Sequence, residues 1–163
     1  MLPKMIISQE CKDMLDDAVH SELYASNLYK HIANELQRLG YFGATKFFLK
    51  ESADELVHYQ LHVEFQNDVG TVAKVPMIEA MNDPIKSLSD AIETGYETEL
   101  ELYNDYKKWY SQTSEDPVVQ QFLLQFLEFQ RTSVGEYGDL LSRIQLMDGD
   151  KAGMLLIDQE LGG

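Results

Sequence analysis

Four potential metal ligands fall within one short stretch, Glu51, Glu55, His58 and His62. Glu55 and His58 are three residues apart, so on a helix they project from neighbouring positions of one face. Glu51 lies one turn before Glu55, and His62 one turn after His58. A carboxylate and an imidazole side by side offer oxygen and borderline nitrogen to a divalent transition metal. A lone Glu-x-x-His is ordinarily a solvated polar pair. Here Leu56, Val57, Leu61 and Val63 flank the stripe, and three other segments bring polar groups of matching type.

Those segments read as helices. Ser8 can cap a first helix that runs to about residue 38, with Leu15, Ala18, Leu23, Ala25, Leu28, Tyr29, Ile32 and Leu36 on its apolar stripe. A turn through Gly40 and Gly43 leads into a second helix from about 44 to 69, ended by Gly70. A long link follows, from 71 to 82. Asp83 as cap and Pro84 as first residue are expected to open the third helix. Its inward heptad is Leu88, Ile92, Gly95, Glu99, Leu102, Tyr106 and Trp109. Pro117 opens a fourth, with Phe122, Phe126, Phe129, Ser133, Leu140 and Ile144 on its apolar face. Met147-Asp148-Gly149-Asp150 breaks it, and a short apolar helix spans 152 to 161. The pattern is an all-α four-helix bundle over about 8–146 with an appended fifth helix, in one domain, 1–163. A link that long can cross the bundle, leaving helices two and three parallel.

Within this bundle Glu22 shares a face with Ala18, Ala25, Ser26 and Tyr29. A buried carboxylate needs a cation or hydrogen bonds, and Tyr29, two turns on, can donate one. On the third helix Glu99 interrupts an otherwise apolar heptad. On the fourth, Gln130 and Ser133 flank a phenylalanine-rich stripe, with Glu136 one turn further. Salt bridges or hydrated polar contacts are the competing reading of each pair.

Composition excludes several classes. The chain has 163 residues and a formal net charge of -15. That balance argues against nucleic acid, which needs a basic footprint, and against anionic membrane surfaces, while it attracts cations. A single cysteine, Cys11, excludes an internal disulfide and leans toward a reducing, cytoplasmic setting. The first residues are too soon interrupted to read as a signal peptide, and no apolar run approaches a membrane span.

The segments SELYASNLY on the first helix, the Glu55-x-x-His58 pair, DPIKSLSDAIE, FLLQFLEFQ on the fourth, and the tail LMDGDKAGMLLIDQEL together resemble a bacterial-type non-haem ferritin subunit. The resemblance covers nearly the whole chain. It implies a ferritin-like bundle that assembles as a 24-subunit shell, oxidises Fe(II) with dioxygen or hydrogen peroxide, and stores the ferric mineral. The absence of a second Glu-x-x-His on the fourth helix separates the chain from haem-containing bacterioferritins. The fifth helix separates it from the twelve-subunit DNA-protecting relatives.

By this resemblance Glu22, Glu55 and His58 form the first iron site, Tyr29 stands beside it, and Gln130 falls on the family's glutamine. Registered from Pro84, the helix-three bridging glutamate falls on Gly95. The helix-four glutamates fall on Phe129, Thr132 and Ser133, and Asp54 stands at a third-site position. The second and third sites are then stripped or rebuilt. The rebuilt version pairs Glu99 with His62, one turn along the bundle, and Glu51 with Glu136. Three functions follow: an iron-storage cage with an altered ferroxidase site, a cage-forming subunit with little catalysis, or a di-metal bundle oxidase or peroxidase.

Overall fold

The computed structural model describes residues 1–163. It contains five helices and no strands: α1 (Gln9–Leu39), α2 (Phe42–Asp68), α3 (Leu88–Gln112), α4 (Pro117–Met147) and α5 (Lys151–Leu161). The sequence rules for ends hold at most boundaries. The Ser8 side chain accepts from Cys11 N, and Gly40 closes α1 at φ 92°, a left-handed conformation that glycine adopts without penalty. Asp116 caps α4 through Val118 N and Val119 N, with Pro117 just inside.

The start of α3 differs from expectation. Asp83 and Pro84 lie in the crossover, and the helix begins at Leu88 with Ser87 as its cap. The Ser87 hydroxyl accepts from Asp90 N at 3.0 Å, and the Asp90 carboxylate accepts from Lys86 N at 2.8 Å. This is a Ser-x-x-Asp capping arrangement. The Asp83 carbonyl instead accepts from the His31 ring at 2.7 Å, which ties the crossover to α1.

Side-chain pairs fix the helix directions. Tyr29 meets Glu99 and Glu22 meets Tyr106, so α1 and α3 are antiparallel. Ser26 meets Ser52, and Glu22 meets His58, so α1 and α2 are antiparallel too. Helices α2 and α3 therefore run parallel, as the long crossover requires. The expected inward heptad of α3 is buried throughout. The buried face of α4 is rotated slightly from the expected one. Val119, Phe122, Leu123, Phe126, Gln130, Tyr137 and Ile144 point in, whereas Phe129 is exposed and Ser133 lies at the margin. On α2, Leu56 and Val57 also face outward.

Helix α5 folds back onto the start of α2. Tyr41, at the α2 N-cap, makes no side-chain cap. Asp158 supplies one from α5, its Oδ1 accepting from Ala44 N at 2.7 Å. Gly43 permits the approach, since a Cβ there would collide with the Asp158 carbonyl. Ile157 is buried in this contact, but Leu155 and Leu156 remain about half exposed. Asp158→Ala should cost about 1–2 kcal/mol, the usual loss of a capping side chain. Urea unfolding should show it as a lower midpoint, and limited proteolysis as earlier cleavage before α5.

Candidate metal centre

The centre of the bundle holds a polar layer within an aromatic core. Glu22, Glu55 and His58 each offer a ligand atom, and these atoms lie within 4.8 Å of one another. Glu22 is fully buried and Glu55 is 3% exposed. His58 Nδ1 is 2.9 Å from Glu55 Oε2 and 3.4 Å from Glu22 Oε2. One face of the His58 ring stacks on Phe129, 4.9 Å between centroids and 3° between planes. Helix spacing explains the cluster: Glu55 and His58 share a face of α2 by their i, i+3 separation, and Ala18 and Ala25 on α1 leave room around Glu22.

Two carboxylates and an imidazole this close cannot titrate independently. Burial raises Glu55, and the neighbouring Glu22 charge raises it further, well above the usual carboxylate range. Burial opposes ionisation of Glu22 as well, but its contacts with His58 and Glu55 prevail and hold it low. Burial would lower His58, yet the two carboxylates beside it, Glu22 and the hydrogen-bonded Glu55, raise it to about 10. The cluster thus holds Glu22 toward its ionised form, and Glu55 and His58 toward their protonated forms. A divalent cation would replace those protons.

The other expected ligands have partners of their own within the bundle. Glu99 is fully buried; one oxygen accepts from Tyr29 and the other from Gln130 Nε2 at 2.7 Å. Its charge acts on Glu55 and Glu51. His62 Nε2 lies 2.8 Å from the Tyr106 hydroxyl. The pairing of His62 with Tyr106 on parallel helices puts Glu55 level with Glu99 by the same offset. Glu99 therefore stands beside the three-residue cluster, two turns before His62. Glu99 and His62, expected as a pair, bond different partners here, Glu99 with Tyr29 and Gln130 and His62 with Tyr106. Gly95 is not an emptied ligand position either: a Cβ there would collide with the ring of Tyr137.

Glu51 and Glu136 do not form the expected pair. Glu136 is exposed, and the α4 partner of Glu51 is the Tyr137 hydroxyl, which donates to Oε2 at 3.2 Å. Sequence reasoning missed this tyrosine; its signal was its position seven residues after Gln130 on one helix face. Tyr106 was placed in the core without a polar role. Its hydroxyl donates to Glu22 Oε1.

Desolvation, reinforced by Glu99, raises Glu51 to about 7. A carboxylate raised on folding binds its proton more tightly in the native state. Stability should therefore fall as pH rises from 4.5 through 7, with a total loss on the order of 3 kcal/mol above that window. Glu51→Gln should flatten the pH dependence of the metal-free unfolding midpoint in this range; an unchanged slope would count against the burial of that charge.

Orphaned buried atoms show where a ligand fits. Glu22 Oε2 and Gln130 Oε1 are buried without a hydrogen-bond partner, a costly condition in a protein interior. A metal between Glu22, Glu55 and His58 would satisfy the first. Oxygen-rich ligation with one imidazole suits Fe(II) better than softer thiolate-loving ions. A groove of about 630 Å³ between α2 and α4 reaches Glu55 and His58, and it is lined also by Glu51, Asp54, Glu128 and Glu136.

Comparison with known proteins decides the family. The ferritin family model, described as a ferritin-like domain, matches residues 12–147. The chain belongs to the ferritin family. It is 29% identical to a probable bacterial non-heme ferritin-like protein of Haemophilus influenzae, over 96% of both chains. It is 24% identical to the bacterial non-heme ferritin of Bacteroides fragilis, over 96% of this chain and 99% of that one. Among solved structures, the open pore ferritin of the archaeon Archaeoglobus fulgidus superposes with a TM-score of 0.92 at 22% identity, covering 96% and 98% of the two chains. That likeness bears out the four-helix bundle with its fifth helix. No helix is long and apolar enough to cross a membrane.

Proposed function

We propose that the chain is an iron-storage subunit that oxidises Fe(II) at the α1–α2 cluster, using dioxygen or hydrogen peroxide, and that copies assemble into a hollow shell. The observation that carries this reading is the convergence of Glu22, Glu55 and His58 in the bundle interior, with a Glu22 oxygen left without a hydrogen-bond partner. Iron enters as substrate. Glu22, Glu55 and His58 would hold the first Fe(II), and Glu99, level with Glu55 in the bundle, would help to hold a second. The first ion displaces the protons of Glu55 and His58; the second competes with Tyr29 and Gln130 for Glu99. Two irons a few Å apart suit a two-electron reaction with oxygen.

The second position is poor in ligands. Ser133, where the family resemblance implies a carboxylate, has no charge to give, and Phe129 presents only a ring. This favours weak binding of the second iron, and in the limit a subunit that builds the shell and stores mineral with slow oxidation. Leu155 and Leu156, half exposed on a docked α5, form part of the apolar surface available for assembly. The cytoplasm, reducing and rich in Fe(II), is the setting that suits one buried free cysteine.

Anomalous diffraction from iron-soaked crystals tests the site directly. A strong peak among Glu22, Glu55 and His58 and a weaker one beside Glu99 are expected, with iron-dependent oxygen uptake in solution. An empty cluster would overturn the reading. Native mass measurement tests the shell: a stable monomer at micromolar concentration would contradict assembly.

A further inference from the structure

Tyr106 is a fully buried phenol that the iron chemistry above leaves unused. Its hydroxyl stands between two groups of different kind. It donates to Glu22 Oε1, and His62 Nε2 lies 2.8 Å away on the other side. His62 is itself fully buried, and its Nδ1 has no partner. Phe126 stacks on the Tyr106 ring at 4.9 Å and 7°, while Trp109 meets it edge-on at 5.0 Å. A phenol is thus joined to a proposed iron ligand, backed by an imidazole and walled from water by aromatic rings.

The arrangement changes when a metal takes Glu22. A carboxylate that gives its lone pairs to a cation accepts a hydrogen bond less strongly. The phenol then has His62 Nε2 as its alternative acceptor, once the imidazole carries its hydrogen on the presently unpartnered Nδ1. Removing one electron from a phenol makes its O–H strongly acidic, so oxidation is easy only where a base already receives that proton. His62 is at hydrogen-bond distance to do so. Of the other two phenols at the site, Tyr29 donates to Glu99 and Tyr137 to Glu51, and neither is bonded to an imidazole.

We propose that Tyr106, with His62 as its proton acceptor, serves as a one-electron store that lets the site work with one iron at a time. This rests on the reading of Glu22, Glu55 and His58 as the oxidation site. In the first step Fe2+, the phenol and a solvent proton react with dioxygen, giving Fe3+, a neutral phenoxyl and hydrogen peroxide. One electron comes from iron and one from Tyr106. The peroxide takes one proton from the phenol, by way of His62, and one from solvent. In the second step another Fe2+ reduces the phenoxyl, which regains a proton and becomes the phenol again. The sum is two Fe2+, one dioxygen and two protons converted to two Fe3+ and one hydrogen peroxide. A store of this kind has a purpose where the second iron position lacks a helix-four carboxylate.

The test is rapid freeze-quench paramagnetic resonance after mixing protein carrying stoichiometric Fe(II) with dioxygen. The wild type should give a transient organic radical whose hyperfine pattern narrows when ring-deuterated tyrosine is incorporated. Tyr106→Phe should lose that signal, and His62→Gln should lose most of it, while Tyr29→Phe retains it. Redox-inert Co(II) should still fill the cluster in Tyr106→Phe, more weakly by no more than the roughly 10–100-fold that loss of a ligand-orienting hydrogen bond costs, so that spectra taken at saturating metal separate a redox role from a damaged site. If Co(II) binds and iron oxidises but no radical forms, or the radical survives Tyr106→Phe, the proposal is overturned while the oxidation site stands. If the wild type binds no Co(II) at the cluster, both fall.

Discussion

His58→Ala should abolish the tight Fe(II) site and leave the bundle folded. The imidazole is the only nitrogen donor in the cluster, and its removal leaves two carboxylates, Glu22 from α1 and Glu55 from α2. Loss of a partner that merely orients a ligand commonly costs about 10–100-fold in metal affinity; loss of the ligand itself should cost more. The fold should survive because His58 is a partly buried residue at the edge of the core, not part of its apolar centre. The same ion should be linked to protons. Metal-free, Glu55 is raised by burial and by Glu22, and His58 is raised to about 10 by its two carboxylate neighbours despite burial. Protons held by these groups must leave when the cation arrives, so binding at neutral pH should release protons. Apparent Co(II) affinity should climb with pH accordingly, and calorimetry in buffers of different ionisation enthalpy reads the number. Release near zero, or full Co(II) affinity in His58→Ala, would remove this cluster as the metal site.

How much of this could be read beforehand depended on whether a residue acts within one helix or across several. The i, i+3 relation of Glu55 and His58 is local, so the spacing alone placed them together. The heptad of α3 was equally legible, since its buried positions repeat whatever residue begins the helix. What differed was the start of α3. Asp83-Pro84 has the composition of a helix start, but Ser87 and Asp90 make the actual cap, and counting from Pro84 assigned the bridging position to Gly95. The Ser-x-x-Asp signal was present in the sequence and outweighs a lone Pro, which is equally at home in an extended crossover. The contacts of Tyr106 and Tyr137 were much less legible, the placement of Tyr137 on the face of Gln130 being the one hint. Each depends on the rotation and level of two helices joined by distant chain, and an aromatic residue on an apolar stripe gives no other sign that its hydroxyl reaches a carboxylate.

Gly95 and Glu99 provide the sharper test of the second iron position, because the two readings of the site predict opposite results. If Gly95 were a vacated ligand position, Gly95→Glu would restore a carboxylate and speed oxidation. The structure predicts damage instead. Tyr137 occupies the space over Gly95, and even a Cβ would drive into its ring. Overpacking of this kind costs about 1–3 kcal/mol, partly offset for Gly95→Ala by the roughly 1 kcal/mol that alanine gains over glycine in a helix. Glutamate adds a buried charge near Glu51 and Glu99, so Gly95→Glu should unfold at markedly lower denaturant than Gly95→Ala and oxidise iron no faster than wild type. Glu99→Gln should behave in the opposite way. Burial raises Glu99 despite its bonds to Tyr29 and Gln130, so a neutral isostere that still accepts from Tyr29 should leave metal-free stability equal or higher. The anomalous peak beside Glu99 should vanish while the peak at Glu22, Glu55 and His58 remains. Faster oxidation in a stable Gly95→Glu, with both peaks intact in Glu99→Gln, would return the bridging position to Gly95. Because Glu99→Gln changes one charge and almost no volume, loss of a single peak there would isolate ligation from packing, which no substitution at Gly95 can do.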